Sequence, residues 1–378
     1  DTNSTLFGSW GHWTPLLKAV RPWDGNPETC DVHFTGKSLL LHPDSHANYY
    51  HALTDFISAY ASMHIPNSWS PLEPSELIAQ STLHSYRITQ DLQLMMTPSR
   101  KSARDKFNSP FLPLYEQYTS KPILALDNHW RSGSKLCFDD VLFSLNSRGG
   151  YQNLFYNMWV PGDCQRSRLF ESWSKFVTNK PGLSSRRKLR PGSLRNSPIR
   201  MSILSRNSGR GTTSGTRHLA NQKELVEAVR DHFGPSGVRV QILNFDFSQN
   251  VHIDTQVQRI LDTDILAAMH GSGLAHLSFL PPWAVVFEIF NCGDAGCYYD
   301  LSRLKGVKYM TLPRENVTKV NATVEVEENQ LLNDKFWNYN ISVEPFVAKI
   351  EEAVGYLKLN PDSPYYECGE GTPAEGKS

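Results

Sequence analysis

Seven residues, His270-Gly-Ser-Gly-Leu-Ala-His276, follow the apolar run Asp264-Ile-Leu-Ala-Ala-Met269 and lead into a second apolar stretch. Two glycines where a buried strand ends permit a tight turn. The backbone amides of Gly271, Ser272, Gly273 and Leu274, with the positive end of a following helix, then point at whatever sits above the sheet. A diphosphate suits such donors, and His270 and His276 could contact phosphate or sugar. A tight turn with packed histidines would use the same residues. Arg206 closes the apolar run that starts at Ile199, and Arg217 lies in the loop ahead of Asn221. Two guanidiniums at a strand end can clamp phosphate oxygens in a way a lysine cannot, although loop arginines are commonly solvated. Glu288 stands alone inside Ala284-Val-Val-Phe-Glu-Ile-Phe290. A carboxylate buried there must be hydrogen-bonded, to ribose hydroxyls or to nearby backbone amides.

Far upstream, Asn48, His51 and Asp55 are spaced three and four apart and share one helical face. A histidine with a carboxylate one turn away makes an acid/base pair, each tuning the other's proton affinity. The spacing alone serves polar residues on a helix surface equally well. Asp262-Thr-Asp264 carries the Asp-x-Asp cue of metal-dependent sugar transfer. It precedes its strand, however, whereas ligands collect at the other end, so it reads as a helix-to-strand turn.

The elements that must hold these residues are an alternation of strands and helices. Lys37–His42, Pro122–Leu126 and Lys135–Leu145 look like strands, and Tyr49–Tyr60 has helical spacing. Residues 65–120 show little periodicity and are expected as loops and short helices. Downstream, Ile199–Leu204, Val238–Phe245, Asp264–Met269 and Ala284–Phe290 read as strands, with helices over Asn221–Phe233, His252–Leu261 and Val343–Lys358. Near-continuous apolar runs fit parallel strands covered on both faces, hence an α/β doubly wound sheet. The break at residues 180–200, rich in Pro, Gly and Ser with seven basic residues, is expected to link two domains, 1–180 and 181–360, before a tail, 361–378.

Lysine plus arginine and aspartate plus glutamate balance at 38 each, which removes any global field for nucleic acid or anionic membrane. No stretch approaches the roughly 18 consecutive apolar residues of a membrane span. Six cysteines lack the paired spacing of a zinc site, and spacing does not separate disulfides from buried thiols. Asn3, Asn316, Asn321 and Asn340 each begin an Asn-x-Ser/Thr acceptor, which favours a glycosylating, oxidising compartment. Three of them crowd residues 314–342, expected as a surface loop.

The run His270-Gly-Ser-Gly-Leu-Ala-His276-Leu-Ser-Phe-Leu-Pro-Pro-Trp283-Ala-Val-Val-Phe-Glu288-Ile-Phe-Asn-Cys292 resembles glycosyltransferase family 61. Its continuation, Cys297-Tyr-Tyr-Asp-Leu-Ser-Arg303-Leu-Lys-Gly-Val-Lys-Tyr309, is similar to the branch that places O-linked N-acetylglucosamine on EGF-like domains. The likeness reaches back through Ile203-Leu-Ser-Arg206, Arg217, Asn221 and Glu224 to Asn48-Tyr-Tyr-His51-Ala-Leu-Thr-Asp55 and Cys30. The resemblance implies a GT-B arrangement, two Rossmann-like domains facing across a cleft, with the donor held mainly by the C-terminal one. It implies UDP-N-acetylglucosamine as donor substrate without a tightly bound cofactor, folded EGF-like domains of secreted or membrane proteins as acceptors, and inversion by one in-line displacement. Asp55 would be the base, oriented by or exchanged with His51; Arg206 and the 271–274 amides would take the diphosphate, and Glu288 ribose or base. An endoplasmic reticulum lumen is expected, with the Golgi as alternative. Xylosyl or O-mannose-directed transfer, or a catalytically silent binding homologue, are the other readings. The chain lacks the Asp-Tyr-Asp-like element expected near Tyr118–Lys121, which weakens a metal requirement, and it lacks the family's cysteine-rich N-terminal portion. It ends in Glu-Gly-Lys-Ser rather than a retention tetrapeptide, which keeps both compartments open.

Overall fold

The structure, a computed structural model, describes residues 17–18, 20–43, 48–64, 91–97, 109–126, 134–145, 167–180, 182–183, 196–206, 217–245, 252–289, 296–320 and 333–360. The chain divides into two compact units, Asp1–Met158 and Trp159–Ser378.

The first unit contains β1 (Val32–Leu41), α1 (Tyr49–His64), β2 (Gln93–Met96), α2 (Leu112–Tyr115) with a 3-10 turn at Glu116–Tyr118, β3 (Leu124–Ala125) and β4 (Leu136–Phe143). The strands form one parallel sheet in the order β3-β2-β1-β4. Leu39, Leu40 and Leu41 form an unbroken apolar run because β1 is central and covered on both faces. Leu40 packs with Met95 and Leu126 on one face. Helix α1 is buried almost all round, with Phe56, Ile57 and Tyr60 fully enclosed and the polar Asp55, Ser58 and Ser62 buried as well. Tyr115 and Tyr118 donate their hydroxyls to the carbonyls of Ala52 and Phe56, 2.8 Å each, and stack against Phe56. A disulfide, Cys30–Cys137, joins the chain entering β1 to β4. β2 lies inside the stretch expected as loops and short helices. Gln-Leu-Met-Met carries no β-branched residue and becomes a strand by pairing with β1 and β3.

The second unit contains α3 (Arg168–Thr178), β5 (Ile199–Ser205), α4 (Gln222–Gly237), β6 (Val238–Asn244), α5 (Ile253–Leu261), β7 (Ile265–Met269), a 3-10 helix (Ser272–Phe279), β8 (Val285–Ile289), α6 (Cys297–Lys305), β9 (Lys308–Thr311), β10 (Val317–Lys319), β11 (Tyr339–Ile341) and α7 (Val343–Leu359). Five parallel strands run in the order β6-β5-β7-β8-β9. Alternate residues, among them Met201, Ile203, Ala267, Met269, Val285 and Phe287, form a core with Phe346 and Ile350 of α7. The intervening residues Leu266, Ala268, Val286 and Glu288 face the other way, beneath the layer of α5, the 3-10 helix and α6. Both units are therefore α/β with parallel, Rossmann-like sheets.

The boundary at residue 158 falls earlier than the compositional break at 180–200, of which 184–195 lie outside the described residues, as does the expected tail. Helix α3, placed by composition before that break, packs in the second unit. Trp173 meets Phe279 at 5.3 Å between ring centroids, and Ser174 donates to the Ser278 carbonyl. Among the described residues no helix is long and apolar enough to cross a membrane.

Candidate active site

In the second unit the chain leaves β5 for β6 on one side and returns to β7 on the other, so the strand order reverses between β5 and β7. Parallel sheets open a crevice at the carboxyl ends of strands at such a point. Arg206 directly follows β5, and His270-Gly271 directly follows β7.

The His270 amide still bonds the Ile289 carbonyl, 3.0 Å, so the turn begins at Gly271. Gly271 has φ 156°, and a methyl group there would overlap Arg206 Nη1, 3.2 Å from Arg206 Cζ and 3.3 Å from Arg217 Nη1. Absence of a side chain at Gly271 is thus what admits two guanidiniums. At Gly273 the constraint is close approach: a Cβ would lie 2.6 Å from Leu204 Cδ2. The helix that follows is 3-10 rather than α, which places Leu274 and Leu277 in one row against the core. One of the four expected anion donors is spoken for, because the Leu274 amide closes the turn on the Gly271 carbonyl at 2.9 Å. The amides of Gly271, Ser272 and Gly273 precede the first intrahelical bond and are left to other acceptors.

Arg206 is half-buried with its Nε enclosed and lacking a partner among the described residues. Burial first, then the neighbouring Arg217 charge, lower its pKa to about 9, against an opposing influence of Tyr298. It remains a cation at neutral pH. Arg217 donates to the His270 carbonyl, 2.9 Å, and holds φ 64°, the positive-φ non-glycine residue among those described. Both sequence-expected arginines therefore converge on one turn. Two half-buried cations side by side favour the binding of an anion between them.

Glu288 was expected to be hydrogen-bonded as a buried carboxylate and, by resemblance, to hold ribose or base. It is 1% exposed, and both its oxygens are engaged within the protein: Oε1 with His270 Nδ1 at 2.5 Å, Oε2 with the Tyr309 hydroxyl at 2.6 Å. The carboxylate fixes the His270 ring as donor through Nδ1, and the ring also meets Tyr298 edge-on at 5.1 Å. His276 faces inward. Its Nδ1 bonds the Gly273 carbonyl at 2.8 Å and its Nε2 the Gln256 amide at 2.9 Å, and burial lowers its pKa to about 3. The Gln256 atom at Nε2 is Oε1, and since a neutral ring donating through Nδ1 accepts at Nε2, turning that amide over would bring its nitrogen to the ring. His276 thereby ties the turn to α5. Tyr309, Tyr298 and Gln256 were not legible as site residues, since each reaches the turn from an element distant in sequence.

In the first unit, Asn48 caps α1, accepting from the amides of Tyr50 at 3.0 Å and His51 at 3.4 Å. His51 is half-buried and Asp55 is 7% exposed, so Asp55 is not a surface residue. The Tyr115 phenol stands close by: burial first and the Asp55 charge second push its pKa well above the usual tyrosine range.

Asp262 and Asp264 sit between α5 and β7, at the amino edge of the sheet. Asp264 accepts from the Arg200 amide at 2.9 Å and Trp283 Nε1 at 3.0 Å, a structural role. Among the described residues no three of His, Cys, Asp and Glu gather as round a metal ion. The acceptors Asn316 and Asn340 lie at a two-stranded ladder, β10 with β11, rather than in an open loop, with Thr318 opposite Asn340. Asn3 and Asn321 are outside the described residues.

The sequence family described as Glycosyltransferase 61 matches residues 49–287, from the first turn of α1 to β8. The chain belongs to glycosyltransferase family 61. It is 31% identical over 337 residues to the EGF domain-specific O-linked N-acetylglucosamine transferase of Bos taurus, covering 89% of this chain and 56% of that one. The proteins of the same name from Canis lupus familiaris and Drosophila melanogaster match at 30% and 28%, each again over 89% of this chain and 56% of their own length. The chain thus spans about half the length of these curated relatives. The family match includes α1 with Asp55, the two arginines and the glycine turn, and stops before Glu288 and Tyr309.

Proposed function

We propose that this family 61 member transfers N-acetylglucosamine from UDP-N-acetylglucosamine to Ser or Thr hydroxyls of folded EGF-like domains, with inversion. The observation that carries the reading is the convergence of Arg206 and Arg217 on Gly271 at the strand-order reversal, where a diphosphate relieves the repulsion between two half-buried cations. The names of the relatives supply the acceptor and the sugar. In this reading the two units adopt the GT-B arrangement, with Asp55 presented to the acceptor.

One displacement then suffices. The acceptor oxygen bonds to the anomeric carbon as the bond to the UDP oxygen breaks, and the hydroxyl proton passes to Asp55. Arg206, Arg217 and the amides of residues 271–273 receive the charge growing on the leaving diphosphate, a fixed array of donors needing no reorganisation. His270, held by Glu288, offers its remaining ring nitrogen to phosphate or sugar. A metal is not needed in this scheme. The compartment is an oxidising lumen, endoplasmic reticulum or Golgi, where Asn316 and Asn340 accept N-linked glycans.

Mass spectrometry of a folded EGF repeat incubated with UDP-N-acetylglucosamine and the chain tests this reading. A mass gain of one N-acetylhexosamine is expected, and Arg206→Ala should abolish both the gain and UDP binding by calorimetry. An unmodified repeat together with turnover on another UDP-sugar would move the activity elsewhere in the family, and UDP binding without turnover on any donor would make the chain a silent homologue.

A further inference from the structure

Arg217 is held in a backbone conformation that an L-residue adopts at a cost of about 1–2 kcal/mol. Its φ of 64° therefore has to be imposed by its surroundings. The imposing element is distant in sequence: the strip Trp337–Ile341, which carries β11. Arg217 donates its amide to the Trp337 carbonyl at 2.9 Å, Tyr339 donates to the His218 carbonyl at 2.9 Å, and Ala220 donates to the Tyr339 carbonyl at 2.8 Å, around a parallel bridge of Leu219 with Tyr339. Asn221 closes the far end twice, Nδ2 to the Ile341 carbonyl at 2.8 Å and Oδ1 from the Ile341 amide at 3.0 Å.

In a regular parallel register the His218 amide would face the partner strand with that of Ala220 and meet the Trp337 carbonyl, but that carbonyl accepts from Arg217 instead. The side chain of Asn338, 4% exposed, supplies the acceptor: Oδ1 lies 3.0 Å from the His218 amide. The bond is immediately beside Arg217, and the Arg217 guanidinium reaches the His270 carbonyl from there. We infer that Asn338 is a positioning residue for the donor site: by holding the His218 amide it locks Arg217 in its left-handed conformation and so aims the guanidinium at the Gly271 turn. The inference rests on the reading of Arg217 as a diphosphate ligand.

Removing the acceptor takes its hydrogen bond from a half-buried N–H, and the cheapest relief is for residues 217–218 to leave their conformation. In Asn338→Ala, UDP affinity is expected to fall by about tenfold, and in the Arg217→Ala background the same substitution should change it by less than about twofold, because the group it aims is gone. Equal losses in both backgrounds, or no loss in the otherwise intact chain, overturn the proposal. Asn338→Asp, which keeps an oxygen at the acceptor position, is expected to bind UDP within about threefold of the unmodified chain; a loss as large as that of the alanine variant also overturns it. Amide hydrogen exchange at Arg217 and His218, measured without nucleotide, should accelerate in Asn338→Ala and not in Asn338→Asp. That arm reads the lock directly. If the unmodified chain fails to bind UDP while exchange responds as expected, the donor reading has failed and the lock has not; unchanged exchange removes the lock whatever UDP does.

Discussion

In the proposed transfer Asp55 is the proton acceptor, and its burial decides what a substitution does. It is enclosed near the middle of α1, close to the Tyr115 phenol. Asp55→Asn keeps the shape and removes the proton acceptor. Transfer should fall by at least about a hundredfold, in line with loss of a general base. UDP affinity by isothermal titration should stay within about twofold, since the arginine site is built wholly from the second unit; lost UDP binding would take Asp55 out of the base role. The acid/base spacing of His51 and Asp55 was legible in the sequence, whereas the burial that separates Asp55 from an ordinary surface carboxylate was not. Glu288 shows the reverse. Its isolation in an apolar run announced a buried carboxylate with partners, but only folding brings Tyr309 from β9 to one oxygen and His270 from β7 to the other.

At the scale of elements, the strand-turn-helix at 265–279 works through two glycines with different duties. Gly271 leaves room for guanidiniums, and Gly273 leaves room for Leu204 at the end of β5. Gly273→Val should push the turn away from the arginines and lower UDP affinity by at least about a hundredfold, roughly 2.7 kcal/mol, as measured by calorimetry. The fold should persist, because the rest of the 3-10 helix stays buried through Leu274 and Leu277. Retained affinity would mean that the amides of this turn do not meet the diphosphate. The strand at its head was readable from five consecutive apolar residues. The 3-10 character was not, since residues Ser272–Phe279 have no polar stripe to betray their period and only packing selects a repeat of three.

For the molecule as a whole, the proposed donor site belongs to one unit, so the two units can be perturbed separately. The Cys30–Cys137 disulfide closes a loop spanning 107 residues within the first unit. Replacing both cysteines by serine should destabilise that unit by about 2–4 kcal/mol in urea unfolding. UDP affinity should be unchanged within about twofold, because Arg206, Arg217 and the 271–273 turn all belong to the other unit. A parallel fall in UDP binding would show that the donor site depends on the first unit's integrity. The position of the division carries the same lesson. Composition marks 180–200 as a break, but Trp173 finds its core against Phe279, which draws α3 into the second unit.

What the sequence determined by itself was local or periodic: the parallel sheets from unbroken apolar runs, the glycine turn, the two arginines, the acid/base spacing on α1, and the place of Asp262 and Asp264 ahead of β7. Tertiary structure alone decided which groups meet. It set two cations beside each other over Gly271, occupied Glu288 from two sides, turned His276 inward, and locked Arg217 through a strip of chain more than a hundred residues away. The physical reason is that period and propensity act along the chain, while burial and hydrogen-bond satisfaction act across it, and a site of charged groups is made by the second.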